Sequence, residues 1–238
     1  SEYAATELLW QIRKFHGFIW ASGGCFNDFY IHVIDHCCWM KNAWPVDAQA
    51  LGGRHYRGSY VDQNFDTYSA EYTFADGSKL IADGRCMPGC EPIYKSYALG
   101  TKGMAVLSKS GDCGPPSSTY RGFSPERSNR IWQSERIPGQ TNPYQNEWND
   151  LVDAIRNDRP YSEVEYGVKA SLVSSLGRKA AHTGLKLTLE ELLNSDEEYA
   201  PGVDKFTMDS PAPVQADSEG KYPIPRPGLM SDGHEYEG

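Results

Sequence analysis

No stretch of the chain approaches the roughly 18 to 20 consecutive apolar residues that a bilayer-spanning helix requires, and the N-terminus lacks the basic then apolar layout of a signal peptide. The sequence therefore predicts no membrane partner. A basic surplus is missing too: 23 Lys and Arg stand against 32 Asp and Glu, a formal net charge of -9, which argues against a protein that tracks nucleic-acid phosphates with a basic stripe. Cysteine is sparse, 6 in 238 residues, too few for a disulfide scaffold. Cys37 and Cys38 are adjacent, cannot staple distant segments, and read as small buried hydrophobes. Cys86 and Cys90 are spaced for a local disulfide or two metal ligands, but no second Cys/His pair sits at zinc-site spacing. Nor does G-x-G-x-x-G occur, so the chain lacks the glycine turn between strand and helix on which a dinucleotide pyrophosphate rests.

What is present suits a globular protein, with 39% hydrophobic and 12% aromatic residues, enough to bury a sizeable core. Leu8, Leu9 and Ile12, with Glu7 and Arg13 outward, predict a short amphipathic helix over 4–14. Residues 15–21 are aromatic and apolar and should bury against a sheet, delivering Ser22-Gly23-Gly24 as a turn where backbone can approach a ligand. From 46 to 107 the hydrophobic period becomes two. Residues 46–51, 65–74, 79–86, 94–99 and 104–107 read as strands, with Asp76-Gly77 and 100–103 as hairpin turns. The polar, Gly/Pro/Ser-rich 108–140 reads as a long surface excursion, within which Arg130-Ile131-Trp132 could return as a strand.

The second half is helical. Asn142, Pro143 and Gln145 form a helix start, with Trp148, Leu151, Val152 and Ile155 as its buried stripe. Val164, Val168, Leu172, Val173, Leu176 and Ala180 continue at helical spacing to a stop at Gly184, and Thr188 with Glu191 makes a capping box. The expected fold is α+β: an open, mainly antiparallel sheet with the 28–40 and 142–184 helices on one face. Residues 1–195 should form the domain, and 196–238 an extended, acidic, proline-rich tail lying on the body or on a neighbour.

The densest chemistry lies at 23–36. If a helix begins near Asp28, helical spacing puts Asp28, His32, Asp35 and His36 along one side. An Asp and a His one turn apart suit acid/base work, the carboxylate orienting the imidazole. The same four residues could instead gather a metal. His16, His182 and His234 read as structural or exposed.

This segment resembles the oxidoreductases named after glucose-fructose oxidoreductase, inositol dehydrogenase and MocA, whose second domain carries G-G-x-x-x-D-x-G-x-H-x-x-D. Gly23, Gly24, Asp28, His32 and Asp35 match. Tyr30 stands where the pattern has its third Gly, which should narrow the room near the site. The resemblance continues at 100–103, 147–156 and 176–180 and reaches roughly Glu191. It implies a sugar or polyol oxidoreductase in which His32 takes the hydroxyl proton as hydride leaves the same carbon for the nicotinamide, and Asp28 orients or polarises the pair.

Asp35, His36, Arg54, Lys95 and Tyr97 become candidate substrate contacts, with His55 and Tyr56 beside Arg54. Gly23 and Gly24 would lie near the nicotinamide, and no metal is expected. NAD or NADP would be held by a domain preceding this chain, since the family's E-K-P segment is missing as well. The chain then reads as the C-terminal part of a longer enzyme, with its first strand upstream of Ser1 and no activity alone. The resemblance also implies a homo-oligomer formed through the free face of the sheet. Two alternatives stay open: a carbohydrate-binding or oligomerisation module that kept the fold, and an enzyme that cleaves glycosides through transient oxidation by NAD.

Overall fold

The computed structural model describes residues 6–55, 61–110, 116–135, 139 and 142–228; Tyr56 and His234 lie outside them. Helix α1 (Glu7–Arg13) is capped by the Thr6 hydroxyl, which accepts from the Leu9 amide. A 3-10 turn (Phe15–Gly17) and α2 (Ile19–Ser22) follow. A π-helical turn over Phe26–Tyr30 then leads into α3 (Ile31–Lys41). The strands are β1 (Pro45–Gly53), β2 (Thr67–Phe74), β3 (Lys79–Arg85), β4 (Ser96–Gly100), β5 (Gly103–Ser108), β6 (Ser118–Arg121) and β7 (Arg130–Gln133). Helices α4 (Pro143–Arg156) and α5 (Val164–Thr183), the short strand β8 (Leu187–Thr188) and α6 (Leu189–Leu193) follow.

The fold is α+β, and every pair of strands is antiparallel. The strands fall into two four-stranded sheets, ordered β3-β2-β1-β8 and β4-β5-β6-β7, where the period-two pattern alone suggests one. The break comes after Arg85. Pro88 and Pro92 have no amide to offer a ladder, and Gly89 turns the chain with φ 81°.

The chain forms two compact units. The first comprises Ser1–Ile31, Trp44–Cys90 and Ser171–Gly238. Its sheet is β3-β2-β1-β8, with the Asp76-Gly77 turn closing the β2/β3 hairpin through Phe74 N–H to Ser78 O at 2.9 Å. The C-terminal part of α5 buries Val173, Leu176, Ala180 and Ala181. At Gly177 a Cβ would run into the Tyr72 hydroxyl and press on Phe26, so the absence of a side chain sets how closely this helix approaches β2. Phe18, Phe26, Phe65 and Tyr72 are essentially fully buried, each contributing on the order of 2 to 3 kcal/mol.

The described part of the tail, 196–228, is a run of loops and turns with one 3-10 turn, Val203–Lys205, and lies on this unit. Gln11 Nε2 donates to Val214 O at 2.6 Å and Gln63 Nε2 to Pro223 O at 3.1 Å. Tyr222 stacks on Trp10 and meets Phe18 edge-on.

The second unit comprises His32–Ala43 and Glu91–Ala170. Its sheet is β4-β5-β6-β7, with Val106 and Tyr120 buried, and α3 buries Ile34 and Cys38. Residues 108–140 hold two strands rather than a plain excursion, β7 falling where Arg130-Ile131-Trp132 suggests and β6 unannounced by its pattern. Helix α4 starts at its predicted cap, where the Asn142 side chain accepts from the Tyr144 and Gln145 amides. Its apolar stripe, however, is open: Trp148 and Ile155 are 64% and 70% exposed, and only Ala154 is buried. Spacing fixes which side of a helix is apolar. It does not supply a layer to cover it.

Candidate functional site

In the first unit the site is built on consecutive left-handed glycines. Gly23 (φ 78°) ends α2 and Gly24 (φ 76°) follows it, a pair of conformations that residues with a Cβ adopt only at a cost. Asn64 holds the turn from the other side. Its Oδ1 accepts from Cys25 N–H at 2.8 Å and its Nδ2 donates to His16 O at 2.8 Å. Asn27 Nδ2 donates to Ser175 Oγ at 2.8 Å and ties the next turn to α5.

The imidazole paired with Asp28 in the first unit is that of His16. His16 Nδ1 lies 2.6 Å from Asp28 Oδ2, with the ring 53% exposed and the carboxylate 17%. Phe15 and Phe29 flank the imidazole, with ring centroids at 3.9 and 5.3 Å. With Nδ1–H donating to the carboxylate, Nε2 is the nitrogen left to exchange a proton. His16 is exposed, one of the two readings its sequence context gives, and what that context does not announce is its contact with Asp28. Two facts hide the pairing: Asp28 sits in a π turn rather than in the α-helix assumed by i, i+4 spacing, and His16 arrives from before the glycine turn. The one available signal was an imidazole between aromatic residues just upstream of Gly23-Gly24.

Tyr30 does not narrow the approach to the turn. It is buried, sits edge-on to Phe26 and Tyr68, and occupies the space over Gly84 of β3 where a Cβ would stand. Arg54 is committed locally: Nη1 contacts Asp62 Oδ1 at 2.8 Å and the carbonyls of Asp62 and Asn64 at 2.6 and 3.2 Å. His55 N–H donates to the carboxylate of Asp66.

The second unit holds the other candidates. His32 is exposed in the first turn of α3. Asp35 Oδ1 accepts from the Tyr166 hydroxyl at 2.8 Å, and His36 Nδ1 lies 3.1 Å from Ser96 Oγ on β4. Burial first, then the hydrogen bond to Asp35, pushes the Tyr166 phenol up, so it stays a donor at neutral pH. Lys95, just before β4, and Tyr97, on it, are exposed. Burial raises the Cys37 thiol to about 11 and the Cys38 thiol to about 12, which leaves this adjacent pair unreactive near neutral pH. Among the described residues no group of three His, Cys, Asp or Glu could hold a metal, and no helix is long and apolar enough to cross a membrane.

No family model matches the chain, and no curated protein does. Solved structures do. The aldose-aldose oxidoreductase from Caulobacter crescentus, determined with glycerol, matches at TM-score 0.55 and 17% identity, over 69% of this chain and 47% of that one. An oxidoreductase from Thermotoga maritima matches at 0.53 and 15%, over 73% and 50%, and an NAD binding oxidoreductase from Klebsiella pneumoniae at 0.53 and 15%, over 73% and 53%. At these identities the likeness is one of fold. The chain shares its fold with these oxidoreductase structures, and it spans about half the length of each.

Proposed function

We propose that this chain is the substrate-binding and acid/base part of an NAD(P)-dependent sugar or polyol oxidoreductase. The observation that carries the reading is the left-handed Gly23-Gly24 turn followed by Asp28 in contact with the His16 imidazole, within an oxidoreductase fold. His32 is assigned as the acceptor of the hydroxyl proton, and Asp28, held by His16, as the orienting carboxylate. Asp35, His36, Lys95 and Tyr97 are candidates for the remaining hydroxyls. Arg54 is assigned to the loop it staples, because its guanidinium is engaged by Asp62 and two carbonyls.

When bound, a nicotinamide would supply the hydride acceptor. The described residues do not fit it: the sheets are antiparallel throughout, and no strand, glycine turn and helix combine into a pyrophosphate cradle. No step on the dinucleotide is therefore assigned to them. The test is reduction of NAD or NADP by a panel of sugars and polyols, followed by absorbance, in the natural full-length protein. At least one substrate should react, and His32→Asn should lower kcat about 10²- to 10⁴-fold with little change in KM. A variant that turns over at the parent rate would remove His32 from the chemistry, and no reaction with any substrate would remove the oxidoreductase reading.

A second proposal concerns the partner: another copy of the same chain, met through the β4-β5-β6-β7 sheet. The support is that three apolar side chains of that sheet stand open to solvent, Leu99 at 73%, Ile131 at 65% and Trp132 at 54%, surface that a second copy would cover. Sedimentation should give a multiple of the chain mass that Leu99→Asp with Trp132→Glu dissociates. A strict monomer at high concentration would reject it.

A further inference from the structure

We propose that Cys25 and Cys86 form a reversible disulfide, made by exchange with a small-molecule disulfide such as oxidised glutathione. The two sulfurs lie 2.7 Å apart, from positions 61 residues distant in sequence. A disulfide bond is about 2.05 Å long, so the sulfurs need to close by less than about 1 Å. Both backbones are already pinned to one short segment: Cys25 N–H donates to Asn64 Oδ1 and Cys86 N–H to Asp66 O, each at 2.8 Å. Bringing the thiols together therefore costs little further ordering.

The surroundings direct the chemistry. Cys25 is buried at 7% exposure and Cys86 is half-buried, so an incoming disulfide meets Cys86 first. The buried Tyr30 hydroxyl lies 3.9 Å from Cys86 Sγ. Among the described residues no third metal ligand joins the pair, which leaves sulfur–sulfur bonding as the chemistry two adjoining thiols offer. The Cys86 thiolate attacks one sulfur of the donor, forming a mixed disulfide and releasing the first thiol. Cys25, having given up its proton, then attacks Cys86 Sγ and expels the second. The donor is reduced to two thiols as the protein dithiol is oxidised, and no other reagent is needed. The local spacing of Cys86 and Cys90 suggested a different bridge. In the structure Cys90 closes its own turn, with N–H to Met87 O at 3.4 Å, while Cys86 faces Cys25.

The product would lock Cys25, which follows the Gly23-Gly24 turn and stands three residues before Asp28, to the end of β3. This inference does not depend on the activity proposed above. It is tested on the natural protein by incubation with oxidised glutathione, alkylation under denaturing conditions and peptide mapping, with melting followed in parallel. A mass loss of about 2 Da localised to a Cys25–Cys86 peptide is expected, with a rise in melting temperature of roughly 5 to 10 °C that dithiothreitol reverses. Cys90→Ser should keep both effects, and Cys25→Ser with Cys86→Ser should lose them. Mapping that finds Cys86 joined to Cys90, carrying a stable glutathione, or fully alkylated alongside Cys25 would overturn the proposal.

Discussion

Asp28 and Asp35 lie in one short segment, yet their units give them different company. In the first unit Asp28 is bound at 2.6 Å by the half-exposed imidazole of His16, a group able to carry a proton to or from solvent. In the second, Asp35 is bound at 2.8 Å by Tyr166, a phenol whose burial and hydrogen bond hold it in the protonated form. The first arrangement can take part in proton movement, whereas the second is a fixed brace. Matching a sequence pattern thus does not rank two carboxylates. What ranks them is the group that the fold brings from elsewhere in the chain.

The largest effect expected from this contrast is kinetic. In the natural protein Asp28→Asn should lower kcat about 10²-fold, the scale associated with misplacing a reacting group, while Asp35→Asn should stay within about fivefold. Steady-state kinetics on the best substrate decides the matter. A larger loss at Asp35 would invert the comparison and move the orienting role into the second unit.

A second contrast runs along a single helix. In the part of α5 that belongs to the first unit, Gly177 is buried against Tyr72 and Phe26. In the part that belongs to the second, Gly167 is exposed and has open space where a Cβ would stand. Gly177→Ala should destabilise by about 2 kcal/mol through overpacking. Gly167→Ala should stabilise by up to about 1 kcal/mol, since alanine is the better helix former and meets nothing. Urea unfolding of both variants measures this, and equal effects of one sign would show that the halves of α5 are not differently packed.

The two glycines are indistinguishable in a helical sequence pattern, and this marks the limit of what sequence carries. Local signals were legible: the Asn142 cap, the Thr188/Glu191 capping box, the Asp76-Gly77 hairpin and the Gly23-Gly24 turn all form where their residue types predict. Pairing across long separations was not. The His16/Asp28 pair, the Tyr166/Asp35 hydrogen bond and the approach of Cys25 to Cys86 depend on how turns bring segments together, and no spacing rule encodes that. The exposed stripe of α4 is the same lesson reversed, because amphipathic spacing was present and its covering layer was not.

The smallest effect concerns pH and again separates two imidazoles, His16 at the surface and His182 in the interior of the first unit. His182 is 8% exposed, lies edge-on to Phe65, and shares a hydrogen bond between Nε2 and the Tyr68 hydroxyl, 3.0 Å away. Burial, and after it the nearby Arg178 guanidinium, pushes its pKa down from 6.5 to about 3. The folded protein therefore keeps His182 neutral where the unfolded chain takes up a proton. Above pH 6.5 neither state is protonated there, and the group contributes no pH dependence. Between 6.5 and about 3 the unfolded state binds more protons, so stability falls as pH falls, by up to about 1.4 kcal/mol per pH unit. Against its own desolvation, hydrogen bonds from Lys179 and Tyr199 hold the Glu197 carboxyl below its usual range, and so below the interval from pH 6.5 to 5. Over pH 6.5 to 5 it is the difference between the parent and a variant at position 182 that isolates this histidine. Urea midpoints across that interval should decline in the parent and stay nearly level in His182→Gln, whose amide can still share a hydrogen bond with Tyr68 but cannot be protonated. An equal decline in both proteins would show that the acid sensitivity arises elsewhere.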